Sequence, residues 1–198
     1  MHAAVAALPE EDRLRAEMYR FLAGLLMRAP DTGALEGIGT LSSDDTEMGR
    51  AIGDLAEIAR GADARDVSEE YEALFIGLGR GELVPFGSYY LTGFLNEKPL
   101  AKLRQTLGRL GIERREDVKE PEDHIGTLCE VMGGLIDGSY GSPADAATQK
   151  QVFTDHIAPW AGHFFGDLAT AQTARFYAPL GRIGAEFIRI EGQAFDME

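Results

Sequence analysis

Apolar residues recur every three or four positions along almost the whole of this chain, and nowhere do they alternate with polar ones for long enough to make a strand. A period near 3.6 puts such residues on one face of a helix, so the sequence admits helices and little else. Pro9 suits a first helical turn, and Leu14, Met18, Leu22, Leu25 and Leu26 form a stripe that stops before Pro30. The Gly/Ser/Thr/Asp-rich stretch from Asp31 to Asp45 predicts a long loop. Met48, Ile52, Leu55 and Ile58 mark the next helix, closed near Gly61. Asp66 with Glu69 has the form of a capping box, with Val67, Tyr71, Leu74, Phe75 and Leu78 on one face behind it. Pro99 opens a helix striped by Leu100, Leu103, Leu107 and Leu110 and ended by Gly111. Pro121 opens another, through Ile125, Leu128, Cys129, Met132, Leu135 and Ile136. Ser142-Pro143 reads as a cap and first residue for a helix reaching Phe153 and Ile157. Trp160, Phe164, Phe165 and Leu168 give a shorter segment, and Phe176, Leu180, Ile183, Phe187 and Ile188 the last helix. No repeat of solenoid spacing is present. The expectation is an all-α fold, a single globular bundle of about eight to ten helices over residues 1–198.

Charge narrows the partners. Asp and Glu number 33 against 19 Lys and Arg, a formal net charge of −14. Nucleic-acid binding needs a basic footprint, and this surface repels phosphate instead. A basic partner, such as an arginine-bearing peptide, suits it better. Cys129 is the only cysteine, which excludes a disulfide framework or a Cys-rich zinc site within one chain. On the stripe of Ile125, Leu128 and Met132, it reads as a small buried hydrophobe. The opening "MHAAVAAL" is too short for a signal-peptide core and lacks a basic start. No stretch approaches the ~20 apolar residues of a membrane span, and a cytoplasmic location is expected.

Two segments break the helical pattern with chemistry on irregular backbone. "GELVPFGSYYLTGFL" carries Phe86, Tyr89 and Tyr90 beside Pro85, and "KEPEDHIGTL" carries Glu120, Glu122, Asp123 and His124 within five residues. With a helix starting at Pro121, Glu120 falls at or before its cap and Glu122 and Asp123 in the first turn, where carboxylates complement the dipole. Helix capping explains the acids but not His124, since a cation is disfavoured there; the imidazole is expected neutral or held by a carboxylate. The aromatics have core packing as their simplest role, though loops of this kind lie at the surface. A metal site would need at least three convergent ligands. His156 and His163 lie on one face only if a helix runs through Pro159, and nothing in the spacing requires a metal. General acid–base hydrolysis lacks a second partner and a nucleophile motif. "GLGRGE" (Gly77–Glu82) follows a helix, lacks the third glycine of a dinucleotide fingerprint and the Lys-Ser/Thr of a P-loop, and fits a helix exit at positive φ. No cofactor is implied.

Taken in order, the motifs carry a resemblance. Tyr71, Leu74 and Phe75; Pro85, Phe86, Ser88 and Tyr90; Glu120, Pro121, Asp123 and His124; and His156, Ile157 and Trp160 match the pattern of the TorD/DmsD redox-enzyme maturation chaperones, relatives of the NarJ type. Glu-Pro-x-Asp-His in an acidic, helical chain is the most specific of these. The resemblance implies an all-α chaperone without catalysis. It implies binding of the N-terminal, often twin-arginine, signal peptide of a molybdenum-containing oxidoreductase, with cofactor insertion assisted before export. On that reading an apolar groove lined by Tyr71, Leu74, Phe75, Pro85, Phe86, Ser88 and Tyr90 takes the hydrophobic part of the peptide. Glu120 and Asp123 accept guanidinium groups, beside Pro121, while His124 fixes the loop or bonds peptide backbone. Phe86 departs from the Trp or Tyr that family members often have there, and the stretch after Leu26 is short and glycine-rich. The rival readings are an enzyme dependent on His124 and a helical adaptor that binds a folded partner whatever its N-terminus. A monomer with a tendency to dimerise is expected, the loops at Asp31–Asp45 and Gly138–Pro143 serving as hinges for exchange of a helical element.

Overall fold

The computed structural model describes residues 8–77, 80–113 and 120–197. Leu78, Gly79 and Lys119, which belong to segments discussed above, and the first seven residues lie outside them. Ten α-helices follow one another among the described residues: α1 (Glu10–Met27), α2 (Thr32–Gly39), α3 (Glu47–Gly61), α4 (Ala64–Tyr71), α5 (Gly87–Thr92), α6 (Lys98–Arg109), α7 (Ile125–Asp137), α8 (Ala146–His156), α9 (Ala161–Thr170) and α10 (Tyr177–Met197). The fold is an all-α bundle, as the periodicity requires. Among the described residues the only pairing of extended backbone is one antiparallel bridge, Phe86 with His124. No helix among them is long and apolar enough to cross a membrane.

The core is built on α7, which is buried on nearly every side: Ile125, Leu128, Cys129, Val131, Met132, Leu135 and Ile136 are all inaccessible. A helix apolar all round has to be central. Its main neighbour is α1, which presents Tyr19, Leu22 and Leu26 with Ala16 and Ala23 between them, while Leu14 stays 52% exposed. Helix α10 packs on α9 and α3, and its Phe187 meets Tyr19 of α1. The α9–α10 contact depends on Gly184, where a Cβ would lie 2.2 Å from the Phe165 ring. Polar contacts fix the ends. Tyr71 and Tyr177 donate to the Leu26 and Leu25 carbonyls that end α1, and the Glu70 carboxylate accepts the N–H groups of Arg175, Phe176 and Tyr177 at the start of α10.

Several boundaries differ from the sequence reading. The Asp31–Asp45 stretch is not one long loop: Asp31 accepts from Ala34 N–H at 2.8 Å and caps α2, whose Leu35 and Ile38 are buried. Burial of that pair against α3 outweighs the poor helix propensity of three glycines. Asp63, not Asp66, caps α4, and Glu69 pairs with Arg65 at 2.9 Å instead of completing a capping box. The cap of α8 is Asp145, not Ser142, because Ala144 N–H is tied back to the Leu135 carbonyl and holds Pro143 in the turn. The helix before Pro159 stops at His156, so His156 and His163 do not share a helical face. Finally, α4 runs on into a single π-helical turn, Glu72–Ile76, which ends at Gly77 with φ +60°.

Candidate functional site

The two irregular segments are one unit. Gly87 N–H donates to the Asp123 carbonyl at 2.9 Å and Ile125 N–H to the Pro85 carbonyl at 2.9 Å, a two-bond antiparallel rung. Beside it the Asp123 carboxylate accepts Ser88 N–H through Oδ2 at 2.7 Å, across 35 residues of chain. Asp123 therefore caps the start of α5 and is not in the first turn of its own helix, which opens four residues later than Pro121, at Ile125. The reason is local. His124 N–H closes a turn onto the Pro121 carbonyl, and the His124 side chain takes the capping role: Nδ1 accepts Gly126 N–H at 3.1 Å. An imidazole that accepts at Nδ1 is neutral with its proton on Nε2. Burial agrees, pushing the pKa of His124 down to about 4 against a smaller upward pull from Glu120. Of the two states expected from the sequence, neutral or held by a carboxylate, the geometry fits the neutral one.

The remaining side chains distribute around this rung. The Phe86 ring stands edge-on to His124 at 5.1 Å and is half-buried, whereas Pro85, Ser88 and Asp123 are buried. Among the described residues, Ser88 Oγ and Asp123 Oδ1 are buried without a hydrogen-bond partner. Glu120 is exposed, and its charge bears on both His124 and Tyr71, whose phenol is pushed up first by burial and then by Glu120. Tyr71, Phe75 and Tyr177 make an edge-to-face cluster with centroids 5.1 to 6.0 Å apart, and Leu74 lies wholly buried. Leu83 N–H bonds the Leu74 carbonyl at 2.8 Å and links that cluster to the Pro85 loop. Tyr90 is apart from these. Its ring packs on Trp160 and Phe164 and its hydroxyl donates to Asp167 at 2.9 Å.

Some supporting residues had no signal in the sequence. Glu82 accepts Gln172 and Thr173 N–H groups some 90 residues away, and Arg104 of α6 holds Glu122 through two N–H groups at 2.9 and 2.8 Å. Trp160 was legible as part of a motif, but its role was not. Its indole N–H donates to the His156 carbonyl, and its ring lies so close to Gly87 that a Cβ there would approach Nε1 to 3.0 Å. Among the described residues no group of three His, Cys, Asp or Glu side chains is placed to hold a metal. His156 bonds Thr106 at 3.0 Å and is buried, while His163 is exposed. What the arrangement offers is recognition: aromatic faces, an exposed carboxylate and a capped, rigid loop pair.

Comparison with known proteins gives the chain a family and a fold relative. Residues 41–166 match the family model of the nitrate reductase delta subunit. The chaperone protein TorD of Aliivibrio fischeri is 28% identical over 198 residues, covering 89% of this chain and 92% of that protein. The chaperone protein YcdY of Escherichia coli is 30% identical over 131 residues, 65% of this chain and 66% of its own length. Among solved structures, a protein from Archaeoglobus fulgidus described as a redox enzyme maturation protein superposes with a TM-score of 0.56 at 20% identity, covering 89% of this chain and 94% of that one, a likeness of fold.

Proposed function

Because the chain belongs to the nitrate reductase delta subunit family, among its TorD/DmsD redox-enzyme maturation chaperones, we propose that it binds the N-terminal, twin-arginine signal peptide of a molybdenum-containing oxidoreductase in the cytoplasm and holds that enzyme for cofactor insertion before export. The observation that carries this reading is the rung between Phe86 and His124, which makes one surface of two segments. On that surface Tyr71, Phe75 and Phe86 supply apolar contact and Glu120 the carboxylate for an arginine. Leu74, Pro85, Ser88, Pro121, Asp123 and His124 act from beneath by fixing the loops, and Tyr90 by tying α5 to α9. Asp123 thus serves the site mainly through Ser88, a different role from direct arginine acceptance.

Calorimetry of the full chain with a synthetic twin-arginine signal peptide tests this. Glu120→Gln is expected to weaken binding by about fivefold, the upper range for an exposed ion pair, and the loss should shrink as salt is added. An oxidoreductase captured equally well with and without its N-terminal peptide would refute the reading and leave an adaptor that binds folded surfaces.

A further inference from the structure

The face beyond α5 has the opposite character to the one just described. Helix α6 carries Lys98, Lys102, Arg104 and Arg109, four of the chain's 19 basic residues, with no acid between Lys98 and Arg109, in a chain of net charge −14. Lys98, Lys102 and Arg109, separated by four and seven positions, share one exposed stripe. Immediately before them the chain exposes Leu91 at 44%, Phe94 at 69% and Leu95 at 47%. A cleft of about 460 Å3 opens beside this ledge between α5, α6 and α8. Leu91, Leu103 and Trp160 give it apolar walls, and Lys98, Lys102 and Asp155 line it with charge. Asp155 is matched by Lys102 at 3.2 Å, and Glu97 precedes the helix. Among the described residues no carboxylate lies within ion-pair distance of Lys98.

We infer that this cleft and ledge form a second docking site, for an acidic protein segment with a bulky aliphatic or aromatic anchor. The anchor enters between Leu91, Leu103 and Trp160, where apolar surface is removed from water. Flanking carboxylates meet Lys98 and the outer part of the α6 stripe. Gly87 and Asp123 also line the cleft, so it abuts the loop pair of the site described above. Charge separates this occupant from the others. The arginine-bearing peptide proposed above is repelled by α6, and an anionic bilayer would face the whole net charge of the protein. A short acidic segment feels only the field within a Debye length, about 10 Å. The inference goes beyond the signal-peptide reading and does not depend on it.

Fluorescence anisotropy of the full chain with a labelled peptide of Asp and Glu around a Leu-Leu-Phe core provides the test. Saturable binding is expected. Lys98→Glu and Phe94→Ser, both changes of exposed side chains, are each expected to weaken it by about tenfold, without lowering the melting temperature or the affinity for a twin-arginine peptide. Absence of saturable binding, or equal affinity in wild type and both variants, would overturn the inference. So would an equal loss of twin-arginine binding in Lys98→Glu, which would make the two sites one. Lys98-dependent pelleting with phosphatidylglycerol vesicles, without binding of the acidic peptide, would assign the surface to a membrane instead.

Discussion

The helical scaffold and the joined loops of the candidate site are held together by different physics. Where α1 meets α7 and α9 meets α10, the contact is apolar and close-packed, with Gly184 admitting the Phe165 ring. Where the Pro85 loop meets His124, the contact is two backbone bonds, one carboxylate and one imidazole, each serving a buried donor. Packing is distributed over many atoms and fails by volume. Capping is concentrated in a few atoms and fails by a single charge or proton. A chaperone surface built the second way can be exact in shape without a large core beneath it.

The largest effect that separates the two belongs to the scaffold. Gly184→Leu forces a side chain into space filled by Phe165, and a loss upward of about 3 kcal/mol is expected. Urea denaturation measures it, with Gly184→Ala as the milder step. Acid should act on the loops with a comparable size. The folded pKa of His124 lies near 4 against an ordinary 6.5. As pH falls below 6.5 the unfolded chain takes up a proton that the folded chain refuses, so stability drops until about pH 4 and then levels. That one group contributes roughly 3 kcal/mol over the window. His124→Asn retains a capping acceptor that does not titrate, so its stability profile between pH 6.5 and 4 should be flatter than that of the wild type. An unaltered profile would remove His124 from the account. Smaller again, Asp123→Ala should cost about 2 kcal/mol by leaving Ser88 N–H unpaired. Hydrogen exchange should then speed up at Ser88 and Gly87 while the amides of α7 beyond its first turn keep their protection. Uniform acceleration across α7 would mean that the loops and the scaffold are one cooperative unit.

This division also marks what the sequence could disclose. The apolar period located eight of the ten helices, because burial of a stripe is written at every third or fourth residue. Even the missed α2 left Leu35 and Ile38 three apart, masked by the glycines around them. The residues of the candidate site stand out as motifs, and the place of His124 near a helix start leaves it neutral or held by a carboxylate. Their pairing was not legible. Asp123 reads locally as a first-turn acid, and only the fold reveals that the N–H it covers belongs to Ser88. Glu70 and Glu82 gave no signal for the same reason, since each serves backbone about a hundred residues away. The cationic run of α6 is visible in the sequence but is outweighed there by a net charge of the other sign.

The π-helical turn at Glu72–Ile76 sets a constraint of a different sort on this chain, one of length. Gly77 N–H reaches back to the Glu72 carbonyl at 2.7 Å, five residues, while the Ala73 and Leu74 carbonyls accept Glu82 and Leu83 N–H from the returning loop. Removing one residue here would restore the ordinary helical repeat and rotate everything beyond it by about 100°. Those carbonyls would then point away from residues 82 and 83, and Pro85 would no longer arrive opposite Ile125. Substitutions along this stretch should be far better tolerated than a one-residue deletion, so the number of residues between Tyr71 and Pro85 matters more to the site than the identity of most of them.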